Sequence, residues 1–61
     1  MISEIILELH IFFDSNMDKV VAWLNMKNLN LGGARPIDMI KMGKIKRLHQ
    51  FVMTQVGENV L

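Results

Sequence analysis

Three hydroxyls (Ser3, Ser15 and Thr54) and two imidazoles (His10 and His49) are the side chains from which nucleophilic or metal chemistry would have to be built in this chain. A hydrolytic triad needs a nucleophile, a base and an orienting group within reach of one another. Ser3 and Ser15 stand where helix caps are expected, and no G-x-S-x-G turn is present. The two histidines are far apart in sequence, there is no cysteine, and no second His lies one helical turn from either. That argues against the paired ligands of a helical metal site. Gly32-Gly33-Ala34-Arg35 precedes Pro36 and offers backbone amides to an anion, but the Lys-Ser/Thr pair of a phosphate-binding loop is missing and Pro36 removes one amide. The segment reads as a turn. Lys41, Lys44, Lys46 and Arg47, with Phe51 nearby, have the makings of a phosphate-contacting surface. No recognition helix rich in Asn, Gln and Arg accompanies them, and the sequence pI of 8.2 is modest for an autonomous DNA-binding module. What remains is binding rather than turnover: no catalytic residue, cofactor, metal or small-molecule substrate is expected, and nucleic acid is a weak alternative.

The elements that must position any such surface are few. Sixty-one residues, 51% hydrophobic and 21% charged, make one small domain spanning 1–61. A chain of this size has roughly 4,000 Å² of surface when folded and can bury only about 60% of what it exposes unfolded. Apolar burial then nearly cancels the entropy of ordering the chain, and without cysteine no disulfide makes up a shortfall. A protein partner or a second copy is the expected source of the missing stability. The longest unbroken apolar run, Val20 to Leu24, is far short of a membrane span. Met1 to Phe13 carries Glu4 and Glu8 and has no basic leader region. The reading is a soluble, cytoplasmic chain.

Met1 to Phe13 satisfies two periodicities. Ile2, Ile5, Ile6, Leu9 and Phe13 recur at helical spacing, whereas Leu7, Leu9 and Ile11 alternate with Glu8 and His10 as in a strand. Ser3 and Glu4 near its start favour a helix. Leu7 and Ile11 then lie opposite the main stripe, and a helix apolar on two faces wants two neighbours; the second is expected from another molecule, giving a homo-oligomer through this helix. Asp14, Ser15 and Asn16 break it, with Ser15 and Asp18 resembling a capping box for a second helix. That helix carries Met17, Val20, Val21 and Leu24, with Trp23 at the flank, and ends near Asn25 to Asn28. Gly32 and Gly33 permit a turn, and Pro36 opens a short third helix to Met42. Gly43 separates it from a last helix over 44–56 with Ile45, Leu48, Val52 and Val56 as its stripe, and Gly57 is expected as its left-handed cap. The fold class is all-α, a small bundle of about four short helices.

Charge divides along the chain. Residues 1–18 hold Glu4, Glu8, Asp14 and Asp18 with no Lys or Arg, and between Asp38 and Glu58 there is no acid at all. The basic cluster is either a solvated face or a meeting point for an acidic surface. Phe51 lies beside Lys44 and Arg47 on the helix, so it is either an interface anchor rimmed by positive charge or a packing residue at the edge of the core.

Taken together, Trp23-Leu24, Asn28, Leu31-Gly32-Gly33, Pro36-Ile37-Asp38-Met39-Ile40 and Gly43 resemble, at these spacings, the C-terminal toxin-binding domain of the Xre/MbcA/ParS antitoxin family over about residues 12–57. The resemblance implies a non-catalytic bacterial module that neutralises a RES-type toxin, an enzyme that consumes NAD or transfers its ADP-ribose, by covering the toxin's active site. It is to the toxin-binding domain alone, without the Xre-like DNA-binding domain. It further implies structural roles for Trp23, Leu24, Asn28, Leu31, Gly32, Gly33, Pro36, Asp38 and Gly43. The last helix, with Lys44, Arg47 and Phe51, and the tail residues Val60 and Leu61 would face the partner.

Overall fold

The computed structural model describes residues 1–61. Four helices follow in order: α1 (Ile2–Phe12), α2 (Met17–Asn25), α3 (Pro36–Lys41) and α4 (Ile45–Glu58), with a single 3-10 turn, Leu29–Leu31, between α2 and α3. There is no sheet; the one extended pairing is an isolated antiparallel bridge between Asn28 and Ala34. The all-α expectation holds, and the ambiguous first segment is a helix. Its strand-like alternation reflects Leu7 and Ile11 on the outer face, 55% and 60% exposed.

The core is one cluster of seven buried side chains: Ile5, Leu9, Val20, Leu24, Met39, Leu48 and Val52. Each helix contributes one or two, spaced four residues apart in α1, α2 and α4, so each meets the centre with a single stripe. The most extensive contact joins α1 to α4; α2 bridges α1 and α3, and α3 returns to α4. Pro36 is also buried. The accessible surface, 4132 Å², is close to the scaling expectation for this chain length.

Three of the four helices end in the same way, with a residue in the left-handed region and a pair of main-chain bonds that close the last turn. After α1, Asp14 sits at φ 55; its N–H donates to the Ile11 carbonyl and the Ser15 N–H to His10, at 3.2 and 2.7 Å. After α3, Gly43 at φ 76 donates to Ile40 and Lys44 to Met39, at 3.1 and 2.8 Å. After α4, Asn59 at φ 59 donates to Val56 and Val60 to Gln55, at 3.0 and 3.1 Å. Only one of these positions is glycine. The expectation that Gly57 caps α4 is therefore corrected: α4 runs two residues further than the stripe suggested, and Gly57 lies inside it. The start of α2 needs a similar correction. Ser15 is itself left-handed at φ 65, and the cap is Asn16, whose Oδ1 accepts from the Lys19 N–H at 3.2 Å. Ser3 is likewise within α1 rather than ahead of it. Pro36 occupies the first turn of α3 as expected, where its missing N–H is not needed.

Two glycine substitutions separate these roles. A Cβ on Gly57 meets open space in a helical backbone, so Gly57→Ala is expected to stabilise by about 0.5–1 kcal/mol. Gly32, at φ 70, has equally open surroundings but a conformation that an L side chain resists, so Gly32→Ala is expected to destabilise by about 1 kcal/mol. Urea denaturation of the two variants checks the opposite signs; a loss of stability in Gly57→Ala would restore Gly57 as the cap.

Candidate functional site

The segment from α2 to α3 is built around one residue's polar groups. The Asn28 N–H donates to the Ala34 carbonyl at 3.0 Å, and its own carbonyl accepts from both Leu31 and Gly33 at 3.0 Å. The Asn28 side chain accepts from the Asn30 N–H at 2.9 Å, capping the 3-10 turn. Gly32 and Gly33, at φ 70 and 83, reverse the chain so that these bonds close. Leu31 and Ala34 are thereby turned inward against the core, on which Trp23 from α2 also packs. Leu29 is turned outward and is 93% exposed on this hydrogen-bonded turn.

At the start of α3, Arg35 holds Asp38 in a two-pronged pair: Nε donates to Oδ2 at 2.8 Å and a terminal guanidinium nitrogen to Oδ1 at 2.9 Å. This bond, more than the local positive charge of Arg35 and Lys41, draws the Asp38 carboxyl below its usual range, and partial desolvation opposes it. The same pair raises the Arg35 guanidinium further above neutrality. Asp38 in the first turn also faces the positive end of the α3 dipole.

The 3-10 turn, α3 and the beginning of α4 enclose a pocket of about 180 Å³. Leu31, Ala34, Met39 and Met42 supply its apolar lining; Asp38, Lys44 and Arg47 supply its polar side. Lys44 and Arg47 are exposed, as are Lys41 and Lys46 beside them. Phe51, one turn beyond Arg47, is half-buried against the core rather than standing free. Leu61 also lies on the core, whereas Val60 is exposed. The residues expected to face a partner thus fall into two groups: Lys44, Arg47 and Val60 are open, and Phe51 and Leu61 are largely engaged by the protein itself. Neither the pocket nor Leu29 was anticipated. The pocket joins three elements that are separate in sequence, and a leucine in an apolar-rich chain gives no sign that it will be left outside.

On the far side of α4, His49 reaches α1. Its Nε2 is buried without a hydrogen-bond partner and lies 3.5 Å from Glu4 Oε2. No three metal-ligating side chains come together around it or elsewhere.

A loop that spends Asn28, Gly32 and Gly33 on its own closure, feeding a helix opened by Pro36, is the arrangement behind the motif string. Residues 9–54 match the family described as the antitoxin Xre/MbcA/ParS C-terminal toxin-binding domain. The chain belongs to that family. The match takes in α2, the loop, α3 and most of α4 of this antitoxin domain. Comparison with curated proteins and with solved structures returned no match. The antitoxin domain is a toxin-neutralising binding module, and none of its helices is long and apolar enough to cross a membrane.

The Arg35–Asp38 pair gives this domain a defined acid response. Because folding lowers the Asp38 pKa, its stabilisation is complete above the ordinary carboxylate range and disappears as pH falls through the depressed value. Asp38→Asn is therefore expected to lower the melting temperature at pH 7, with the gap from wild type narrowing below about pH 4. Circular dichroism melts across that range check it; a gap independent of pH would mean that the carboxylate charge is not what the pair contributes.

Proposed function

We propose that this domain neutralises a RES-type, NAD-consuming toxin by occlusion, acting as a non-catalytic plug. The observation that carries the reading is the unfinished surface of a family member: more large apolar side chains lie open than are buried in its core. The contact surface is taken to comprise Leu29 at the loop apex, the pocket rim at Lys44 and Arg47, and Val60 beyond α4. Leu29 is a suitable anchor. It is a large apolar side chain on a turn already fixed by Asn28 and Gly32, so docking it costs little ordering entropy. Self-association through the outer face of α1, where Leu7 and Ile11 are exposed, stands beside this role.

The test begins with the reading frame adjoining this one. Co-expression of this chain with a RES-type product encoded there is expected to restore growth and preserve cellular NAD. Leu29→Asp is expected to weaken the complex at least about tenfold, some 1.4 kcal/mol, with the melting curve of the free domain unchanged. Loss of NAD despite abundant, folded antitoxin domain would end the RES reading; full affinity in Leu29→Asp would remove the loop apex from the interface.

A further inference from the structure

We propose that two copies of this chain associate head to tail, the outer face of α1 on one copy docking into the pocket between α3 and α4 on the next. This rests on self-association through α1 and names what that face meets. Glu4, Leu7 and Ile11 recur at three- and four-residue intervals, so they line one side of α1, with Glu8 a turn from Glu4. That side points away from Ile5 and Leu9, which occupy the core. It is an apolar pair beside the Glu8 carboxylate; the Glu4 carboxylate is turned to the Met1 ammonium at 3.7 Å and to His49 Nε2 at 3.5 Å. The pocket is its counterpart: an apolar floor of Leu31, Ala34, Met39 and Met42, with Lys44 and Arg47 on the rim.

Charge decides between this arrangement and a symmetric one. Pairing two α1 faces brings the Glu8 carboxylates of both copies onto one seam, with no Lys or Arg in residues 1–18 to offset them, whereas Glu4 is already offset within its own copy by the Met1 ammonium at 3.7 Å. Docking the same face on the Lys44 and Arg47 rim replaces that repulsion with attraction. Asp38 does not cancel the rim, because its carboxylate is already held by Arg35. Size is compatible: a cavity of ~150 Å³ admits a benzene-sized molecule, and about 180 Å³ is open here for one branched aliphatic side chain. The two surfaces belong to different elements, the pocket drawing nothing from α1. One copy can therefore donate its helix and receive another at once, and because the proposed toxin contact includes the same Lys44 and Arg47 rim, a copy seated in the pocket and a bound toxin exclude one another. Such a contact is heterologous and propagates into rings or short chains rather than stopping at a dimer.

Complementation tests this directly. Sedimentation velocity is run on the wild-type chain, on a Leu7→Ser/Ile11→Ser variant, on a Met42→Glu/Arg47→Glu variant, and on an equimolar mixture of the two variants. All four substituted side chains are exposed, and circular dichroism verifies that both variants remain helical. The wild type is expected to grow in size with concentration and to dissociate in about 0.5 M salt, where the screening length falls to a few ångströms. Each variant alone is expected to be a monomer. The mixture is expected to form a one-to-one heterodimer and nothing larger, because each variant keeps one working face. A pocket variant that still dimerises alone would show symmetric α1 pairing and overturn the head-to-tail contact while leaving self-association standing. A mixture that stays monomeric while the wild type associates would overturn it as well. A wild type that is monomeric throughout would remove both.

Discussion

The two stripes that meet between α1 and α4 are the constraint on which the rest of the molecule depends. Ile5, Leu9, Leu48 and Val52 are fully buried, and together with Val20 they account for nearly all of the completely enclosed apolar volume. These are the two longest helices, yet each is at or below the length at which an isolated helix is marginal in water. Neither is stable without the other. α2 and α3, at nine and six residues, are further below that limit and persist because Val20, Leu24 and Met39 join the same cluster. With a core this small, removing any one of these side chains would take a large share of the folding free energy.

A small core places the burden of shape on main-chain bonding. α3 illustrates it. Six residues form a helix there because Pro36 presets the first turn, Arg35 clamps Asp38 across that turn, and the Gly43 and Lys44 N–H groups close the end with one bond each. Just upstream, the N–H, the carbonyl and the side-chain oxygen of Asn28 are all used in closing the loop. These two pieces of local bonding fix the pocket walls and the direction in which Leu29 points. In this chain the loop is thus a set of backbone requirements: an amide side chain that caps, two glycines that reverse the chain, and a proline that restarts it.

These requirements explain what was legible in the sequence. The helices were readable because their stripes have one period each, and Pro36 and the glycine pair announced the turn by their restricted or permissive backbones. The cap signals mislead where two residue types compete. Ser15 precedes Asp18 at capping-box spacing, but the left-handed exit from α1 takes both Asp14 and Ser15, leaving Asn16 as the first extended residue able to cap α2. Gly57 looks like a terminator, yet Val56 packs on the core and Leu61 returns to it, so the helix continues until Asn59 can turn the chain. Asparagine tolerates that conformation. Composition also gives no hint of which apolar residues remain outside: Leu29 and Leu31 are two positions apart in one turn, and closure of the loop on Asn28 sends one inward and the other to solvent.

An open apolar surface on a barely sufficient core has a thermodynamic consequence for an antitoxin domain. A partner that binds only the folded chain adds RT ln(1 + [L]/Kd) to its stability, about 2.7 kcal/mol when the partner is at one hundred times its dissociation constant. Against a small domain's few kilocalories, that contribution is comparable to several core contacts. Folding and toxin binding are then coupled parts of one equilibrium: binding to the folded chain lowers the unfolded fraction. The side chains that would improve the isolated fold if buried, Leu7, Ile11 and Leu29 among them, are the ones left available to a partner.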